Sequence, residues 1–208
     1  ELPLLGFAGS PMSLAFFMIA GSSPNHKHKE ILEFIKDNPA FTQALLERLI
    51  QITVNYLNYQ ISSGVHAIQL FESFADLFSI ELYEKYIQPA HEKIFSSLNP
   101  KTHSILFTKE SPHLEHMLQS GAKALSVGNC IDLEAAKKKA PEMIFQGNVD
   151  NKIIADGSKE EITKAVEKCF AETNRKHHIL NLNHGLLERT PFESVQHFVN
   201  VAKELGKI

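Results

Sequence analysis

Short runs that are apolar at nearly every position alternate along the chain with longer stretches of helical periodicity. The runs fall at residues 4–8, 65–71, 103–108, 122–127, 143–146 and 178–182. Runs of this kind suit strands buried on both faces, as in a parallel sheet. The intervening stretches carry helix end signals. Asn38-Pro39 sets a cap and an N1 proline before a long helix that ends near Ser63, with Gly64 as its stop. Ser79 is placed to cap a helix reaching Leu98 that is kinked at Pro89. Ser111-Pro112 opens another, stopped by Gly121, and Asp132 caps a short one through Lys139. Ser158 with Glu161, and Thr190 with Glu193, read as capping boxes, the second with Pro191 at N1. Gly206 closes the last helix.

Strand followed by helix, six times over, predicts an α/β protein with right-handed parallel crossovers. No Gly/Ser-rich linker, charge block or low-complexity tract interrupts it, so residues 1–208 read as a single domain. A doubly wound dinucleotide-binding sheet would carry G-x-G-x-x-G after an early strand, and Gly6-Phe7-Ala8-Gly9 lacks that spacing. The (β/α)8 TIM barrel is therefore favoured. Typical barrels need about 250 residues. The chain also opens without Met, directly in a strand run. Both features predict a barrel incomplete at the N-terminus, with about six units present.

Composition narrows the function classes. Hydrophobic residues make up 43% of the chain, enough for a core, which excludes general disorder. Lysine and arginine number 21 against 24 aspartate and glutamate, so no basic excess exists to neutralise a nucleic-acid backbone. No apolar run approaches the ~18 residues of a membrane span. Two cysteines, Cys130 and Cys169, are too few for a disulfide framework and read as reduced thiols in a cytoplasmic protein.

In a barrel the active site forms at the C-terminal ends of the strands. Here each run hands over to polar or glycine residues: Gly9-Ser10-Pro11, Glu72-Ser73, Lys109-Glu110, Gly128-Asn129-Cys130, Gln146 to Asp150, and Asn181 to Gly185. Each has a bland alternative. Gln146-Gly147-Asn148 can be a loop whose amides satisfy backbone groups. Ser73 can cap the next turn, and Lys109 can be a solvated cation. His184 is placed either to bind anions and shuttle protons or to hold a structural hydrogen bond. The pairs His26/His28 and His113/His116 lack zinc-ligand spacing, neither cysteine has a C-x-x-C partner, and no G-x-S-x-G elbow is present. No metal site is expected.

These strand-end segments resemble the uroporphyrinogen decarboxylase family. Pro3 to Leu14 is similar to the family's PLIGFAGAPWTL. The resemblance continues at Gln69-Leu70-Phe71-Glu72-Ser73, at Leu106-Phe107-Thr108-Lys109, at Gln146 to Asp150 (similar to QGNLDP), and at Asn181 to Leu186 (similar to NLGHG), followed by Thr190-Pro191. Five motifs in order cover essentially the whole chain. The resemblance implies a cofactor-free (β/α)8 barrel, usually a homodimer, that converts the four acetate side chains of uroporphyrinogen III to methyls. The product would be coproporphyrinogen III, with release of carbon dioxide.

Residue by residue, the resemblance puts Ser73 and His184 on substrate-binding positions. Phe17 falls where the family has a tyrosine whose hydroxyl contacts substrate, so Phe17 can line the pocket without making that bond. By its own pattern Phe17 reads as core. The family's PWT is Pro11-Met12-Ser13 here, its aspartate-tryptophan after the fourth strand is Gly128-Asn129, and Asn183 replaces the glycine of NLGHG. The family's arginine-rich segment and pyrrole-binding aspartate correspond to positions upstream of residue 1. No catalytic residue is therefore expected within the chain, and the 208 residues alone are expected to be inactive. Two alternatives resemble the same superfamily. One is a corrinoid or coenzyme M methyltransferase, which needs a zinc site of an H-x-C and a further cysteine, absent from the matching strand ends. The other is a degenerate, non-catalytic barrel that binds tetrapyrroles.

Overall fold

The computed structural model describes residues 2–24 and 26–207. The described backbone divides into two compact units, one within residues 2–108 and 113–123, the other within residues 109–112 and 124–207.

The first unit contains β1 (Leu5–Gly9), α1 (Pro11–Ala20), α2 (His28–Asp37), α3 (Pro39–Ser62), β2 (Ala67–Glu72), α4 (Ile80–Leu82), α5 (Gln88–Ser96), β3 (His103–Thr108) and α6 (Leu114–Leu118). Strand β2 lies between β1 and β3, parallel to both, with Gly9 opposite Phe71 and Phe71 opposite Phe107. Parallel pairing demands a crossover, which α1, α2 and α3 supply between β1 and β2. Met12, Phe16, Ile31, Ile35, Leu46 and Tyr83 pack into one buried cluster.

The second unit holds β4 (Ala124–Ser126), α7 (Leu133–Lys139), β5 (Ile144–Gln146), α8 (Asn151–Asp156), α9 (Lys159–Thr173), β6 (His178–Ile179) and α10 (Phe192–Leu205). Strand β5 pairs in parallel with β4 and with β6. An isolated parallel bridge joins Val149 to Leu182 beyond the ends of β5 and β6. The apolar run 178–182 thus forms a two-residue strand and one bridge, not a continuous strand.

Several end signals work as expected. Asp132 accepts from the Ala135 N–H at 2.9 Å. At α9 the Ser158 N–H donates to Glu161 at 2.7 Å and the Glu161 N–H returns to Ser158 Oγ at 3.2 Å. Others differ. The Asn38 side chain donates back to the Phe34 carbonyl instead of capping α3. The helix expected from Ser111-Pro112 starts at Leu114, after His113. The second capping box does not form. Pro191 is extended (φ −65°, ψ 139°) and itself stands at the N-cap of α10, which leaves the buried Thr190 hydroxyl without a partner among the described residues. The expected kink at Pro89 is a π-helical turn over Tyr83–Ile87 between α4 and α5. Proline has no N–H for the carbonyl four residues earlier, and a widened turn absorbs that loss.

Candidate functional site

In the first unit the ends of β1 and β2 meet over a buried polar cluster. Ser10 follows β1, Ser13 lies in the first turn of α1, Glu72 ends β2, and His91 projects from α5. All four are buried, Glu72 completely. Ser10 Oγ donates to Glu72 Oε2 at 2.5 Å and Ser13 Oγ donates to Oε1 at 2.7 Å. His91 Nε2 stands 3.5 Å from Oε2. A buried carboxylate is tolerable only when its oxygens are satisfied in this way. The Tyr83 ring packs edge-on against His91, and burial together with the Glu72 charge holds its phenol far above the ordinary range. Tyr83 is therefore a neutral hydroxyl at any working pH.

This cluster sets the position of Ser73. Its backbone N–H donates to Ser13 Oγ at 2.7 Å, the same hydroxyl that donates to Glu72. Ser73 does not cap the following turn, whose N-cap is Phe74. Its half-buried hydroxyl is uncommitted among the described residues. Phe17 is not a core residue. It is 48% exposed on α1, with its ring 5.8 Å from Phe74. Phe74 in turn stacks on the buried Phe16 at 4.8 Å, which anchors this aromatic wall to the core.

In the second unit the ends of β4, β5 and β6 form a network of amides. Gln146 donates to Ser126 Oγ at 3.0 Å, and Asn148 Nδ2 donates to the carbonyls of Gly128 and Ile131 at 2.9 and 2.8 Å. The bland reading of this loop is correct for Asn148, whose amide satisfies backbone groups. Gly147 has φ +117°, and a Cβ there would lie 2.8 Å from the Val127 carbonyl oxygen, so only glycine fits. Asp150 caps α8 through the Lys152 N–H at 2.9 Å.

His184 is exposed and held from both sides. The preceding Asn183 is buried. Its N–H donates to the Val149 carbonyl at 2.8 Å, and its Oδ1 accepts from the Asn151 N–H at 2.9 Å. The following Gly185 carbonyl accepts from Asn151 Nδ2 at 2.7 Å. The loop geometry thus depends on Asn151, which sequence reasoning did not single out. Its place at the start of a helix after an acidic cap was the available signal. Glu72 and His91 also went unassigned, because a strand-end glutamate and a helical histidine look ordinary until their distance is known.

Lys109 is half-buried at the end of β3. Cys130 is exposed and its Sγ–H donates to the Ser111 carbonyl, whereas burial pushes the Cys169 thiol up. A cavity of about 420 Å³ lies beside Asn129, Asn148, Asp150, Lys168 and Cys169, and Phe17, Ser73 and His184 are not among its walls. Among the described residues no three His, Cys, Asp or Glu side chains converge as metal ligands. No helix among them is long and apolar enough to cross a membrane.

Six parallel strands alternating with helices, each followed by polar groups at its C-terminal end, and outer strands each paired on one side among the described residues define an incomplete (β/α) barrel. The same fold appears in a methyltransferase from Methanosarcina mazei, with a TM-score of 0.83 over 100% of this chain and 60% of that one. At 19% identity this likeness concerns the fold alone. The model of the uroporphyrinogen decarboxylase family (URO-D) matches residues 1–205, and the chain belongs to that family. Relatives include the uroporphyrinogen decarboxylases of Prochlorococcus marinus (strain MIT 9215), 35% identical over 99% of this chain, and Trichodesmium erythraeum (strain IMS101), 32% identical over 100% of it. The chain spans 60% of the length of each.

Proposed function

We propose that the protein is a uroporphyrinogen decarboxylase, a carboxy-lyase that converts the four acetate side chains of uroporphyrinogen III to methyls. The observation that carries this reading is the family match across residues 1–205. The strand ends suit a polycarboxylate substrate. His184, exposed on a loop braced by Asn183 and Gly185, would bind a substrate carboxylate through its ring N–H. In the first unit the Ser73 hydroxyl would donate a hydrogen bond to substrate, and Phe17 and Phe74 would form an apolar wall against a pyrrole. Decarboxylation needs the electron-rich ring protonated, so that it can accept the electrons that carbon dioxide leaves behind. Holding the other carboxylates fixes which acetate faces that proton.

The reading includes a homodimer that works without cofactor or metal in the cytoplasm, on a single barrel domain. The two free cysteines fit a reducing compartment. The test is anaerobic turnover of uroporphyrinogen III by the protein carrying this chain, with chromatography of the partly decarboxylated products. His184→Ala should lower kcat/KM by about tenfold or more, the worth of one charge-assisted hydrogen bond. Ser73→Ala should cost less, because a neutral hydroxyl bonds more weakly. Phe17→Tyr should match or exceed wild type. Wild-type turnover that is unaffected by His184→Ala would remove His184 from the substrate site.

A further inference from the structure

The loop after β3 and the loop after β4 share one carboxylate. Glu110 Oε1 accepts from the Asn129 N–H at 3.1 Å, and Oε2 accepts from the Cys130 N–H at 3.0 Å. Two successive backbone N–H groups thus form a small cup that closes on the carboxylate. Oε1 also accepts from Asn183 Nδ2 at 3.2 Å, which makes the residue before His184 its third donor. Glu110 reaches this position from a backbone φ of +44°, a left-handed conformation that comes at a cost to any residue with a side chain. The three hydrogen bonds to a charged acceptor offset that cost.

Gly128 explains why the space is available. A Cβ at this position would lie 2.6 Å from the Glu110 carboxyl carbon and 2.6 and 2.7 Å from its two oxygens. Any side chain at residue 128 would therefore occupy the volume that the Glu110 carboxylate now fills. This is also where the family resemblance places an aspartate, and Asn183 stands where it places a glycine. The two departures meet in space: the Glu110 carboxylate fills the side-chain volume of residue 128 and accepts from the Asn183 amide.

We propose that Glu110 is a positioning residue, which orients the His184 loop through Asn183 and substitutes for a side-chain carboxylate on the strand-end residue 128. The proposal deepens the functional reading above, because the consequence for turnover rests on His184 meeting substrate. Glu110 itself touches no reacting atom. It acts by keeping Asn183 in place, with Asn151 and Val149 holding the other side of that residue.

The test uses the protein carrying this chain, with Glu110→Ala, Glu110→Gln, Asn183→Gly, Gly128→Asp and the double variant Glu110→Ala/Gly128→Asp. Two readouts are needed. One is the NMR signal of the His184 ring in histidine-labelled protein, assigned by its loss in His184→Gln. The other is anaerobic turnover of uroporphyrinogen III. Glu110→Ala should move or broaden the His184 signal and lower kcat/KM by about tenfold to a hundredfold, the scale of a small displacement of a binding group. Glu110→Gln, which keeps one acceptor oxygen and the side-chain volume, should fall between that variant and wild type. Asn183→Gly should move the His184 signal at least as far, since it removes the link to Glu110 together with the bond from the Asn151 N–H. Gly128→Asp alone should be impaired by collision with Glu110. The double variant should recover both the His184 signal and kcat/KM relative to Glu110→Ala, a rescue that a purely structural role for Glu110 does not require. An unmoved His184 signal in folded Glu110→Ala or Glu110→Gln, or the absence of rescue, would overturn the proposal. A moved and rescued signal in a protein that does not turn over uroporphyrinogen would instead uphold the positioning role and overturn the functional reading.

Discussion

Glu72 shows how much one residue can depend on its neighbours. Its two oxygens accept hydrogen bonds from Ser10 and Ser13 in a site with no exposure, and His91 stands against one of them. Glu72→Gln keeps the volume but replaces one acceptor with a donor, so one serine hydroxyl loses its partner. An unsatisfied buried polar group costs about 1–3 kcal/mol. The urea midpoint of Glu72→Gln should fall accordingly at neutral pH, and a midpoint equal to wild type would show that the carboxylate is not what the hydroxyls need. Because Ser13 also holds the Ser73 N–H, the same change should disturb the Ser73 loop. Ser73 and His184 were legible in the sequence as polar groups at strand ends. Glu72 and Glu110 were visible only as letters beside them, since what distinguishes each is the set of distant donors aimed at it.

At the scale of elements, the joint between β5 and β6 should be sensitive to acid. Burial pushes the His178 imidazole below its ordinary 6.5, Lys137 adds to the depression, and the Gly147 carbonyl 2.5 Å from Nε2 opposes it. The folded protein therefore holds His178 neutral, while the unfolded chain takes up a proton near 6.5. Stability from this group is fully present above 6.5 and is lost as pH falls from there through the lower folded value. Between pH 7.5 and pH 5.5 the wild-type Tm should drop more than that of His178→Gln, which does not titrate; equal drops would contradict the argument. Element boundaries followed local chemistry where one interaction decided them, as at the Ser158–Glu161 box. They departed where a competing contact won, as when Asn38 bonded backwards to Phe34. Helix α1 gave little warning in the sequence. Pro11–Ala20 is apolar nearly all round, so it carries no amphipathic period to read.

At the scale of the whole molecule, β1 presents an apolar edge. It pairs with β2 alone among the described residues, and Leu5 and Phe7 are 44% and 63% exposed. Unpaired strand edges with apolar side chains invite association. The isolated 208-residue chain should form concentration-dependent oligomers by light scattering, and Phe7→Lys should shift it toward monomer. A monodisperse monomer at high concentration would refute this. The amino-acid sequence by itself determined the strand–helix alternation, the parallel class of the sheet and the identity of the polar strand ends. Each of these follows from local burial patterns and from end signals a few residues long. Only the tertiary structure decided that Glu72 is satisfied by two serines from another strand end, that Asn151 braces both sides of His184, and that the Glu110 carboxylate fills the side-chain space of Gly128. Those contacts join residues 18 to 62 positions apart, and no local pattern encodes a distance that only the packing of strands creates.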